Sequence, residues 1–379
     1  WLGANVPHRE GVRVRESHAR RSLELAEQLG DDGLRAGALA ILAWSRFDAG
    51  EPDGLALAED AHALATQLQD SQSEAPATVE LAHLLAWLYD RLDLVASFVL
   101  ADILTMTGRR DRARVVLDGV HRDVGRRDEL LEGKVFWALS VLELEAGRWA
   151  LAGDHIARYR EIREQYGLED EPIVLLVGAE LAVHGGDLER ARELVALARE
   201  QADDGILAPL EAVLGLVDRS SGDPEAAIEG FAAAESIAGR AGWGEPSIFW
   251  WRADHAEALV ELGRLSEAVE LVDRWEADAT RLGRDGVLAH VTRCRGMFAA
   301  ARGDVAVAVR TLEEAIRQYE AVEDPFGRAR ALLALGVARR RARQKRAARE
   351  TIGAALAAFE ELGAVGWAKK ARAELGTIG

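Results

Sequence analysis

A glycine followed five residues later by an alanine recurs along this chain, always between two stretches of helical periodicity. The instances are Gly108…Ala113, Gly147…Ala152, Gly186…Ala191, Gly222…Ala227, Gly263…Ala268 and Gly303…Ala308. Near the start the alanine has slipped to Ala56 after Gly50, and near the end Arg343 replaces the glycine before Ala348. From Gly108 onward the spacings are 39, 39, 36, 41, 40 and 40 residues. A sustained period of this length means a solenoid of helix pairs, because a single pair cannot bury its apolar face without a neighbour.

A second column supports the same register. Seven residues before each turn stand Ala43, Ala101, Ser140, Ala179, Gly215, Ala256, Gly296 and Gly336, every one small. Small side chains are needed where the two helices of a pair cross most closely. The turn glycine suits the left-handed C′ position that ends a helix. Small residue, glycine and alanine in this order resemble the tetratricopeptide repeat, although most of that family's aromatics are missing and the units exceed its usual length. The expected fold is all-α: a right-handed superhelical solenoid of antiparallel helix pairs, about eight in number.

Alanine, leucine, glutamate and arginine dominate the composition, which favours helix, and no alternating β-branched run suggests a strand. A net charge of −17 disfavours nucleic-acid binding by the segment as a whole. The single cysteine, Cys294, excludes an intrachain disulfide and reads as a buried thiol. No apolar run reaches the length of a membrane span, and a cytoplasmic protein is expected. One asparagine and four lysines suit a high-GC bacterial genome. The start Trp1-Leu2-Gly3 and the end Thr377-Ile378-Gly379 read as the edges of a segment cut from a longer protein.

Along the chain, residues 1–75 hold a truncated repeat, with a helix from Ser17 to Leu29, and a first full pair at about Leu34–Ala49 and Leu55–Leu68. Residues 76–107 form an irregular long repeat with room for an extra helix, Thr78–Asp90, and a kink or boundary near 70–92. Regular repeats fill 108–363, and 364–379 is a capping helix. Asp187, Asp223 and Asp304 follow turn glycines as N-caps, with Pro224 at a first helical position.

Nothing in the sequence specifies the acid, base and pocket that catalysis requires, so a binding module rather than an enzyme is expected, with no cofactor and no metal. Gly239-Arg240-Ala241-Gly242-Trp243-Gly244 mimics a dinucleotide fingerprint, but it follows a helix and reads as an inter-repeat loop. His62 and His83 lack partners at metal-ligand spacing. The acidic pairs Glu143/Glu145 and Asp203/Asp204 read as solvated faces. Counting back from the turns, Trp44, Phe98, Asp102, Trp137, Glu180, Trp250 and Glu257 fall on positions that face the concave groove in the tetratricopeptide repeats this chain resembles, and Trp137 and Trp250 are expected to be partly exposed there. Trp251 and Trp275 fit the core. Such a groove suits a sugar, a cationic peptide or an amphipathic helix. A second candidate surface is basic: Arg328, Arg330, Arg339, Arg340, Arg341, Arg343, Lys345, Arg346 and Arg349 follow one another without an acid.

Two segments, Arg293-Cys294-Arg295-Gly296 leading to Ala300-Ala301-Arg302-Gly303-Asp304, and Leu332-Leu333-Ala334-Leu335-Gly336 leading to Arg339-Arg340, carry a more specific likeness. With the closing run from Ala357 to Leu375 they resemble the sensor arm of large ATP-binding LuxR-family regulators of the MalT-like group. The resemblance implies an arm that binds a small-molecule inducer, protein or peptide in the groove and controls self-association. DNA would then be reached only through a helix-turn-helix domain outside this segment, and ATP through a separate domain. A free-standing repeat scaffold and the sensor region of a signalling kinase or cyclase are the alternatives.

Overall fold

In the computed structural model the described residues are 11–72, 81–124, 129–202 and 204–378, with side chains described for all but 69–72, 81–93 and 204. Helices dominate them. After α1 (Gly11–Leu29) come α2 (Asp32–Asp48) and α3 (Gly54–Gln72), α4 (Leu81–Met106) and α5 (Arg110–Val124), α6 (Glu129–Glu145) and α7 (Trp149–Gln165). Next are α8 (Pro172–Gly185) and α9 (Leu188–Arg199), α10 (Asp204–Ser221) and α11 (Pro224–Ala241), α12 (Arg252–Glu261) and α13 (Leu265–Leu282). The last are α14 (Asp285–Ala301) and α15 (Val305–Ala321), α16 (Pro325–Arg341) and α17 (Lys345–Leu362), and a closing α18 (Val365–Gly376).

The two small-residue columns do what their spacing predicts. Ala113, Ala152, Ala191, Ala227, Ala268, Ala308 and Ala348 are all fully buried. A methyl group added at Gly215, Gly296 or Gly336 would lie 2.7, 2.6 or 2.3 Å from Phe231, Leu312 or Ile352 of the following helix. These helices cross so closely that a Cβ has no room. The first pair departs from the register. Its turn is longer, so α3 starts at Gly54, Ala56 is exposed, and Ala58 takes the buried place.

The expected extra helix is also corrected. From Leu81 the chain runs as one helix to Met106, because no glycine or proline interrupts it; residues 78–80 lie outside the described residues. Asp187 and Asp223 cap their helices by accepting from the N–H of Arg190 and Ala226 at 3.1 Å. Asp304 makes no side-chain cap bond.

The turn glycines from Gly50 to Gly303 have φ between +72° and +87°. Arg343, which replaces the glycine at the turn between α16 and α17, is forced into the same region at φ +61°, as is Glu323 before α16 at φ +55°. A side chain there costs ~1–2 kcal/mol, partly offset by the extra freedom of glycine in the unfolded chain, ~0.4–1 kcal/mol. Arg343→Gly is therefore expected to stabilise the protein by up to about 1 kcal/mol. A urea midpoint unchanged or lowered in that variant would count against this account.

The chain condenses into two compact units that part between Leu142 and Glu143. Unit 1 holds the helices up to Leu142 and recruits Ala238–Glu245. Its fingerprint-like glycines serve packing: the N–H of Gly244 donates to the carbonyl of Asp48 at 2.7 Å, and a Cβ on Gly244 would meet the carbonyl of Ala49 at 2.3 Å. Unit 2 comprises Glu143–Ala202, Ile206–Ile237 and Pro246–Gly379.

Within unit 2, later repeats pack back onto earlier ones. The turn at Gly147 touches Pro325, the turn at Gly186 touches Val365, and α8 contacts α18. Trp149 shares a core with Phe359 and Ala368. Trp251 and Trp275 are fully buried, as their sequence positions suggest, and donate to Glu235 at 3.0 Å and to the carbonyl of Pro246 at 2.9 Å. Cys294 is buried, and burial pushes its thiol up to about 11.

Candidate functional site: a buried ionic and aromatic network

The first helix of each pair in unit 2, from α8 to α16, and then α18, contributes side chains to one network. Its centre is a pair of buried carboxylates one turn apart on α12, Asp254 and Glu257. Arg330 of α16 reaches Asp254 with both terminal nitrogens, at 3.0 and 2.8 Å, and Glu257 at 2.6 Å. Arg219 of α10 donates to Asp254 at 2.6 Å and also to Glu257. Arg293 of α14 donates to Glu257, and its Nε donates to the Tyr319 hydroxyl at 3.1 Å.

Three guanidinium side chains, each less than one-tenth exposed, thus face two buried carboxylates. At the solvent edge Glu261 accepts from Arg219 at 3.1 Å and meets Lys370 at 3.6 Å. The Nε atoms of Arg219 and Arg330 and the Nη2 of Arg293 are buried with no hydrogen-bond partner among the described residues. Buried donors of this kind are rare and costly.

Burial alone would raise the carboxyl pKa of Glu257. The guanidiniums of Arg330, Arg219 and Arg293 overcome that cost and hold it well below the usual range. Asp254 is lowered for the same reason, chiefly by Arg330 and Arg219 against its burial.

An aromatic wall adjoins the charges. Trp367 receives Arg330 at 4.6 Å, Lys370 at 5.1 Å and Arg219 at 5.5 Å over its ring. Trp149 stacks on His184 at 4.0 Å, and both meet the edge of Phe326. Burial depresses His184 and His290 to about 4, so both are neutral at physiological pH.

The residues singled out from the sequence divide between the units. Trp44, Phe98 and Trp137 are half-buried in unit 1 against one core, and Asp102 is buried. In unit 2, Glu180 and Trp250 are half-buried. Trp250 precedes α12 instead of lying on a helix. Glu257 is not a free groove residue, because the three arginines enclose it.

Two charge assignments need correction. Glu143 is fully buried and paired with Arg148, while Glu145 is exposed. The nine basic residues do not make one free surface. Arg330 lies inside the network, and Arg328, Arg339, Arg340 and Arg346 pair with Glu320, Glu313, Glu374 and Glu350. The acids come mainly from neighbouring helices, which the local sequence does not display. His62 is hydrogen-bonded to Ser97 at 3.1 Å; the side chains of His83 and of the Asp203/Asp204 pair lie outside the described ones. Arg293 stands ten residues before Gly303, in the column of Phe98 and Trp137, whereas Arg219, three residues before Gly222, falls outside the groove columns.

No family model matches the chain, and no curated protein matches it in sequence. Its fold is similar to that of a Rap protein crystallised in complex with competence and sporulation factor. The TM-score is 0.58 at 14% identity, over 90% of this chain and 97% of that one. It is also similar to the Cut9–Hcn1 hetero-tetramer of the APC/C, with a TM-score of 0.54 at 11% identity, over 95% and 68% of the two chains. The class is thereby defined: an all-α helical-repeat solenoid of the tetratricopeptide type. Among the described residues no helix is long and apolar enough to cross a membrane, and no cluster of metal-ligating side chains occurs.

Proposed function

We propose that this chain is the sensing arm of a larger bacterial regulator, and that its ligand or partner engages the first-helix face of unit 2. The observation that carries this reading is the imbalance at the network's centre: three buried guanidiniums against two buried carboxylates, with three guanidinium nitrogens unpaired among the described residues. An incoming carboxylate can take up those donors in bidentate fashion. By competing with Asp254 and Glu257 for the arginines, it would shift the packing of α16 and α18 against the earlier repeats. The complex of the similarly folded Rap protein with competence and sporulation factor supports a binding role for this architecture. The resemblance of the 293–304, 332–340 and 357–375 segments to LuxR-family sensor arms supports self-association as the output. In this reading the chain itself performs no catalysis and needs no cofactor.

The test is binding of a short-peptide library synthesised with free and with amidated C-termini, measured on the 379-residue chain. Free-carboxylate peptides should be retained by the parent and lost in Arg330→Gln and Arg293→Gln. Equal retention of amidated peptides, or no retention at all, would sink the reading.

A further inference from the structure

Unit 1 carries a different unsatisfied charge. Asp102 on α4 is about nine-tenths buried as a residue, and its carboxyl group has no hydrogen-bond or ion-pair partner among the described residues. Neighbouring hydroxyls on α4 are committed elsewhere, Thr105 to the carbonyl of Ala101 at 2.8 Å and Ser97 to His62 at 3.1 Å. Its isolation has an energetic trace, since burial pushes the carboxyl up to about 7 with no opposing charge to lower it.

Three aromatic rings share the register of this group. Phe98 lies one turn before Asp102 on the same helix face. Trp44 holds on α2 the place that Asp102 holds on α4, six residues before the turn glycine, and α2 packs directly on α4. Trp137 holds on α6 the place of Phe98, ten residues before the turn. All three rings are half-buried against the same core, and the indole N–H of Trp137 is itself buried without an acceptor among the described residues.

A carboxyl group with no counter-charge among the described residues, on a helix register shared with three half-buried aromatic rings, matches one class of ligand. Water or a neutral hydroxyl leaves the charge uncompensated, whereas an organic cation supplies the missing charge and gains from the ring quadrupoles. The chain's net charge of −17 draws cations toward it at long range. We propose that unit 1 contains a recognition site for an organic cation, an ammonium or guanidinium group of the kind that lysine and arginine side chains present, with Asp102 as counter-ion and Trp44, Phe98 and Trp137 as its walls. This site is independent of the reading given for unit 2.

Calorimetric titration of the full chain tests it. The probes are a capped peptide with one central lysine, the same peptide with that lysine acetylated, and free agmatine. The lysine peptide should bind saturably, and acetylation should abolish binding. Asp102→Asn should weaken it about tenfold or more, and Trp44→Leu should weaken it several-fold. Asp102→Asn removes a buried unpaired charge, so its thermal melt should match or exceed the parent's and exclude misfolding as the cause. A free-carboxylate peptide without basic side chains should not compete for this site, which separates failure here from failure of the unit 2 reading. Binding of agmatine as tight as the peptide supports a small amine as the natural source, and tighter peptide binding supports a protein partner. Equal affinity for the acetylated peptide, unchanged affinity in Asp102→Asn, or no saturable binding of either amine at millimolar concentration would overturn the proposal.

Discussion

Replacing Glu257 by alanine is expected to destabilise the protein by about 3–5 kcal/mol, the usual cost of leaving buried charges without their partner. Arg293 would then lose its carboxylate partner, while Arg219 and Arg330 would keep Asp254 alone among the buried acids. Urea unfolding followed by circular dichroism reads the loss. A double variant, Glu257→Ala with Arg293→Met, should recover part of it, because removing both partners is far milder than removing one. If the double variant is no more stable than the single one, the two charges are not coupled as the geometry indicates.

Acid should act in the same direction. Asp254 and Glu257 titrate lower in the folded state than in the unfolded chain. Their contribution is therefore complete above the ordinary carboxyl pKa of about 4 and is lost as pH falls below it. His184, His255 and His290, depressed to about 4, add a loss that begins near pH 6.5, since the unfolded chain takes up protons there that the folded one does not. Glu180, raised to about 8 by its burial and by Glu145, opposes them between pH 4.5 and 8.

The second large effect is expected at Trp275. Its ring is fully buried, its N–H holds the carbonyl of Pro246 at 2.9 Å, and it stacks on His290 at 6.1 Å. Trp275→Ala removes the packing and leaves that carbonyl only the longer bond from the N–H of Phe249 at 3.4 Å, at a cost of about 3–5 kcal/mol. Trp275→Phe keeps most of the volume and should cost clearly less. A loss below about 1 kcal/mol in the alanine variant would mean that the segment around Pro246 is held by other contacts.

What the sequence displayed was whatever repeats locally. Gly303 with Ala308, or Gly336 facing Ile352, is one helix pair reporting on itself, so the turns, the small columns and the buried tryptophans were readable. The slip from Ala56 to Ala58 was hidden because only the start of α3 reveals how many residues the turn consumes. The central site was half visible. Glu257 stands in the groove column, but Arg293 and Arg330, which enclose it, lie 36 and 73 residues further along. Pairing over such distances leaves no periodic mark. The run from Arg328 to Arg349 misled for the same reason, since its counter-charges, such as Glu313 and Glu374, belong to other helices.

A repeat protein whose units touch only their neighbours melts piecemeal, each end fraying on its own. The bonds from Arg330 to Asp254, which span 76 residues of sequence, remove that freedom from unit 2. Opening α16 exposes the charges of α12 and α10 together, so those repeats must be lost as one cooperative block. The same long-range contacts raise the contact order of the unit, and its folding is correspondingly slower than that of an array with nearest-neighbour contacts alone.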